Sequence, residues 1–281
     1  MKHRSIGFRK SKDLAIKSIS TLSSFIGIVF LAWILFVVIL RGAKSINLAF
    51  FLQLPTPPGM PGGGVANAIL GTLLITVLAT MIGVPIGILA GVYLAEFAHL
   101  NRLGSVVRFT VNVIMGVPSI IIGLFVYTLM VLPIGKFSGY SGAVALAIIM
   151  LPVVARTTED MLTLVPNSLR ESALALGAPR WKITLNIVFK SARIGMITGV
   201  LLAIARISGE TAPLLFTALN SPYWPKSLNG PTANLTVTIF NYAMSPYRDW
   251  QQIAWGASFL IMGAVLLLTI VARFLLKEKV R

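Results

Sequence analysis

Six apolar stretches, at about 19–40, 66–95, 106–132, 141–160, 194–219 and 252–276, constrain this chain more than any other feature. Each is long enough to cross about 30 Å of hydrocarbon, which takes about 20 residues of helix. Inside a bilayer every backbone N–H and C=O must find its partner within the protein, so such runs read as helices. The expected fold is an all-α polytopic membrane protein with six transmembrane helices. The chain is 56% hydrophobic and 11% charged, which leaves too little polar sequence for a second globular domain. A basic tail at 1–18 and a single transmembrane domain at 19–281 are expected.

The net charge of +16 would suit a nucleic-acid partner, but the placement of Lys and Arg argues against one. Lys2, Arg4, Arg9, Lys10, Lys12 and Lys17 precede the first stretch, and Arg102 and Arg108 flank the second connection. Arg156, Arg170, Arg180, Lys182, Lys190 and Arg193 gather around the fourth connection, and Arg273, Lys277, Lys279 and Arg281 follow the sixth stretch. In a six-span topology all of these fall on one side, against Arg41, Lys44, Lys136, Lys226 and Arg248 on the other. The positive-inside bias then puts both termini in the cytoplasm. The first stretch lacks a small-residue cleavage site and reads as a retained helix. There is no Cys, hence no disulfide or thiol chemistry, and His3 and His99 have no metal-ligand partner at useful spacing.

Glycine and proline mark where the expected helices bend or touch. The 41–65 connection contains Pro55, Pro57, Pro58 and Pro61 before Gly62-Gly63-Gly64, a run that excludes helix and central strand. Gly83, Gly87 and Gly91 recur every fourth residue in the second span, and small residues at that spacing let another helix of this chain approach closely. Pro118 and Pro152 free the carbonyls of Ile114 and Ile148. Those helices either turn the freed groups toward the bundle or simply kink. In the 220–251 connection, Tyr223, Trp224, Tyr247 and Trp250 read as anchors at headgroup level.

The fifth span carries charge where charge is costly. Arg206 lies roughly 18 Å in from the cytoplasmic end at helical rise, and Glu210 follows one turn later. An intramembrane arginine is a functional candidate by default. The bland reading is an i,i+4 ion pair that neutralises both charges. Pro213 releases the carbonyl of Gly209, and a loosened helix beside a guanidinium suits a transient oxyanion site. Glu210 either holds Arg206 until substrate arrives or accepts a hydrogen bond from a protonated oxyanion. Arg156, toward the cytoplasmic third of the fourth span, is either a positive-inside anchor or a second pathway residue.

The polar segment at about 161–193 is patterned as a helix capped by Asn167 or Ser168 and ended by Gly177, with Pro179 in the turn. Leu169, Ala173, Leu174 and Leu176 give it an apolar face, which could lie on lipid or dock a protein. Its Glu171-Ser172-Ala173, then Gly177-Ala178 and Ile187, resembles the EAA loop of bacterial ABC importer permeases, from which Ser172, Phe189 and Lys190 depart. The resemblance implies that this loop, between helices 4 and 5, is a cytoplasmic coupling helix gripped by a separate ATPase. No G-x-x-x-x-G-K-[ST] occurs, so the chain is not expected to hydrolyse ATP or to be an enzyme itself.

Gly62 to Ile69, Gly116-Val-Pro-Ser119, Arg156-Thr-Thr158, Leu164 to Glu171 and Ala205 to Pro213 extend the likeness. Nearly the whole chain from residue 60 is similar to the PstA-type permease family of phosphate-specific ABC importers. That resemblance implies a PstC-type second permease, a PstB-type ATPase dimer using ATP and Mg, and a periplasmic PstS-type phosphate-binding protein. It also implies an inner-membrane location, no cofactor bound by this chain, and a phosphate path that includes Arg156 and Arg206. A permease for sulfate, molybdate or phosphonate fits the Arg206 and Glu210 chemistry as well. An ion-coupled secondary transporter and a membrane-embedded sensor are the readings from other classes.

Overall fold

Long apolar runs with internally paired backbones become helices, and small residues on their faces decide which helices meet. The computed structural model describes residues 6–98 and 101–277, and within them there is no strand. Lys2, His3, Arg4, His99, Lys279 and Arg281 lie outside the described residues. The helices are α1 (Ile6–Ala43), α2 (Leu48–Leu52), α3 (Ala66–Glu96), α4 (Arg102–Gly116), α5 (Ser119–Ile134), α6 (Gly139–Thr163), α7 (Asn167–Ala175), α8 (Arg180–Ser208), α9 (Ala212–Thr217), α10 (Leu235–Ala243) and α11 (Arg248–Lys277). Of these, α1, α3, α6, α8 and α11 are long and apolar enough to cross a membrane, and α4 with α5 makes a sixth span if the bent pair is counted as one.

The bundle is organised around α6, the most enclosed of the long helices. Gly83, Gly87 and Gly91 of α3 face it. A Cβ on Gly87 would come within 2.8 Å of Val154 Cβ, and one on Gly91 within 2.5 Å of the Ala155 carbonyl oxygen. The expected small-residue contact is therefore internal to this chain. Ile75, Ala79, Leu146, Met150, Val154, Ala203 and Ile207 fill the centre of the core. By contrast α1 is almost wholly exposed along its apolar window. It meets α11 near its C-terminal end, where a Cβ on Gly42 would lie 2.7 Å from the Trp255 carbonyl oxygen.

Two expected spans are broken. The stretch at 106–132 is not one helix: α4 and α5 meet at 105° around Val117-Pro118. Val117 is extended (φ −76°, ψ 130°), as a residue before proline prefers, and its N–H donates back to the Ile114 carbonyl at 3.2 Å. That tight turn satisfies the group the proline would have orphaned. The stretch at 194–219 stops at Ser208, where the Gly209 and Glu210 N–H groups close onto the Arg206 and Ile207 carbonyls at 3.2 Å each. The chain restarts at α9 with Pro213 in its first turn. The two restarted pieces pack together, since a Cβ on Gly123 of α5 would lie 2.6 Å from Pro213 Cα.

The aromatic anchors also need correction. Tyr242 is buried and stacks on Trp250 at 4.4 Å, and Tyr247 meets Trp250 edge-on at 5.9 Å. Burial pushes the Tyr242 phenol up from 10.0 to about 12. The Tyr242 and Trp250 rings close a core with Phe50, Val65 and Leu235, because the connection folds back as α10 instead of spreading along an interface. Of the expected anchors, Tyr223, Trp224 and Tyr247 remain exposed, and Trp250 is the one drawn against the core among the described residues.

Candidate functional site

Both broken spans open onto one cleft of about 210 Å³. Ile114, Met115, Val117, Pro118 and Ser119 come from the first break, Ile149, Pro152 and Val153 from α6, and Arg206 and Glu210 from the second break. Pro118, Pro152, Arg206 and Glu210, four residues picked out by sequence and scattered over the chain, are thus gathered around one space. Gly209 and Pro213 are not in its lining, but they end α8 and start α9 on either side of Glu210.

Arg206 and Glu210 do not form the i,i+4 pair expected of one helix. Arg206 lies in the last turn of α8, whereas Glu210 lies past the helix end. Among the described residues, the Arg206 guanidinium has no ion pair or hydrogen bond. Glu210 is held through its backbone, whose carbonyl accepts from Thr236 Oγ1 at 2.9 Å. Thr236 is itself fixed by Asn234, which caps α10 by accepting from the Val237 N–H at 2.9 Å. The arginine is therefore an uncommitted cation that shares the cleft with an acid anchored through its backbone. The first turn of α5, which has no side-chain cap, adds the positive end of a helix to the lining.

Arg156 belongs to a charged cluster further along α6. Its Nη1 lies 3.3 Å from Glu159 Oε2 and its Nε 3.3 Å from Asp160 Oδ1. Glu159 is the buried hub, and its Oε1 accepts from Arg108 of α4 at 2.7 Å and 2.9 Å. Arg156 follows Ile149, Pro152 and Val153 at helical spacing, which places it on the cleft-facing stripe of α6. Reading along the sequence found Arg156 but missed Glu159 and Arg108, since partners 51 residues apart leave no local pattern. The available signal was an acid at the end of an apolar span. Glu159→Ala should cost about 2 kcal/mol, below the scale of a fully buried pair because Arg108 is partly exposed. Denaturation of the detergent-solubilised protein checks this, and unchanged stability would show that the hub does not bind α4 to α6.

The segment expected to dock a partner is α7. Neither Asn167 nor Ser168 caps it: Pro166 occupies that position without a side-chain bond, and Asn167 Oδ1 accepts from Arg170 instead. Its other end follows the expected pattern. Gly177 is left-handed at φ 79°, its N–H donates to the Leu174 carbonyl, and the Ala178 N–H donates to that of Ala173. These two bonds close a Schellman turn, which favours glycine because a Cβ is strained there. The apolar face divides in two. Ala173 is buried against Leu162, Val165 and Ile183, while Leu169, Leu174, Leu176 and Trp181 are exposed. Glu171 and Ser172 also face outward, with Ser172 Oγ donating to the Ser168 carbonyl.

Comparison with known proteins follows the same lines. Residues 83–278 match the family described as "Binding-protein-dependent transport system inner membrane component". The chain is 49% identical over 271 residues to the phosphate transport system permease protein PstA of Pasteurella multocida, covering 96% of each. It is 46% identical over 272 residues to the protein of that name from Yersinia pestis, covering 97% of this chain and 92% of the other. In fold it resembles a chain of a bacterial ABC transporter that imports alginate (TM-score 0.68, 15% identity, 99% of this chain and 100% of that one). It also resembles a chain of the inward-facing MetNI methionine ABC transporter (TM-score 0.64, 20% identity, 75% of this chain and 94% of the other).

Proposed function

The chain belongs to the inner membrane components of binding-protein-dependent transport systems, among the PstA phosphate permeases, and from that membership we propose how its cleft and its docking helix work. It is the permease subunit of a phosphate ABC importer in the inner membrane. The observation that carries the mechanism is the uncommitted Arg206 guanidinium in a cleft between two helix breaks. A bare cation facing lipid would be strongly unfavourable, so this face is turned to an aqueous path or to a second permease. Both termini and α7 lie on the cytoplasmic side, in agreement with the distribution of Lys and Arg.

Phosphate released by a periplasmic PstS-like protein enters between this chain and a PstC-like permease and meets Arg206. The planar guanidinium gives two parallel hydrogen bonds to a tetrahedral oxyanion, assisted by the positive end of α5. A single arginine holds the anion weakly enough to release it. Arg156, further along the same stripe of α6, receives it on the cytoplasmic side. A PstB-like ATPase pair, which uses ATP and Mg, grips the exposed residues of α7 at Glu171, Ser172 and the Gly177-Ala178 turn. Its closure and reopening drive alternating access.

Glu210 is the specificity element in this reading, because its carboxylate accepts a hydrogen bond from the P–OH of hydrogen phosphate, a donor that sulfate lacks. In cells that supply all four kinds of subunit, radiolabelled phosphate uptake should be competed by phosphate and not by sulfate, and Glu210→Gln should weaken that discrimination. Competition by sulfate in the unsubstituted importer would turn the reading toward another oxyanion. Unaltered selectivity in Glu210→Gln would remove the role given to the carboxylate.

A further inference from the structure

The docking helix is held to the bundle by very little apolar surface. Ala173 is its one buried residue among those described, and a methyl group cannot transmit much force. One turn earlier on the same inward face lies Arg170, whose guanidinium makes four contacts. Nη2 pairs with Glu96 Oε1 at the end of α3 at 2.8 Å and donates to the Leu162 carbonyl at 2.8 Å. Nη1 donates to the Val165 carbonyl at 2.6 Å and to Asn167 Oδ1 at 3.2 Å. The arginine and Glu96 side chains are only 18% and 11% exposed, so water competes little for these bonds. Leu162 lies in the last turn of α6 and Val165 just beyond it, at the negative end of the helix where a cation is favoured.

We infer that Arg170 is the positioning residue through which motion of the docking helix reaches α3 and α6. The inference rests on the importer reading above. Arg170 is mostly buried, while Glu171, Ser172 and Leu176 on the other side of α7 are exposed, so it shapes the transmission and not the grip. Both helices it ties are already locked to each other by Gly83, Gly87 and Gly91. Of the two, α6 carries Ile149, Pro152 and Val153 onto the wall of the cleft. A displacement of α7 is thereby delivered to the wall that faces Arg206. A lysine at 170 would keep the charge beside Glu96 but lacks the fork that reaches acid and carbonyls together.

The test is made on the complete importer in proteoliposomes, reading co-purification of the ATPase, ATP hydrolysis and phosphate uptake in one preparation. In Arg170→Gln the ATPase should still co-purify and hydrolysis should persist, while phosphate moved per ATP falls about tenfold. Arg170→Lys should recover part of that ratio. Glu96→Gln, which leaves the carbonyl bonds intact, should show a smaller fall in the same direction, and it decides the matter if Arg170→Gln does not accumulate. Hydrolysis and uptake falling in constant proportion would overturn the proposal, as would loss of ATPase co-purification or an unchanged ratio in Glu96→Gln. Absence of phosphate uptake by the unsubstituted complex is a different result, which overturns the importer reading and this inference with it.

Discussion

Arg206→Gln should lower phosphate uptake by about a hundredfold or more, the scale of removing one preorganised charge-assisted donor. The amount and stability of the folded chain should stay unchanged. Both expectations come from the same geometry. Arg206 has no ion pair or hydrogen bond among the described residues, so its removal orphans no buried partner and opens no core cavity. Glu159 stands in contrast, because its loss leaves Arg108 without its acid. Arg206→Lys should be intermediate, since it keeps the charge and loses the planar fork. Uptake of radiolabelled phosphate in cells lacking their own high-affinity system reads the first expectation, and the quantity of membrane-inserted protein reads the second. Full uptake with glutamine at 206 would reduce the arginine to a structural charge.

The second large effect belongs to the contact between α3 and α6. Gly91→Leu should destabilise the chain by about 3 kcal/mol or more, at the upper end for overpacking. At Gly91 even the first carbon added would lie 2.5 Å from both the Ala155 carbonyl oxygen and Thr158 Cβ, and a helix backbone cannot yield locally. Gly263→Leu in α11 is the control, because a Cβ there meets nothing within 4 Å. Thermal unfolding in detergent should separate the two variants by many degrees. Equal midpoints would mean that α3 and α6 slide apart at little cost, and the glycine contact would then not organise the bundle.

What the sequence makes legible follows from the range of the interactions. The second span, expected at 66–95, is a helix from Ala66 to Glu96, because apolar length and backbone pairing decide it locally. Pro118 and Gly209 with Pro213 mark both breaks, although the sequence alone does not show that proline there ends the helix where Pro152 leaves α6 intact. The difference lies in the surroundings: Val117 can turn back onto Ile114, while Pro152 is buried against α6's neighbours. Arg170 with Glu96, separated by 74 residues, is invisible to any local pattern. Trp250 illustrates the opposite error. Its residue type suggested an interface, but α10 brings Tyr242 against it.

The packing of α5 on α9 at Gly123 and Pro213 has a mechanical consequence. Each piece is joined to its parent helix by two or three non-helical residues, Val117-Pro118 in one case and Gly209-Glu210-Thr211 in the other. Two flexures in parallel that share one rigid platform constrain it far more than either alone, as paired leaf springs constrain a stage. The platform can swing by rotating a handful of backbone torsions while every helical hydrogen bond on either side stays closed. Opening the cleft then needs no melting of secondary structure, and what resists it is the core that Ile122 of α5 and Leu214 of α9 share with Leu146 and Ile149 of α6.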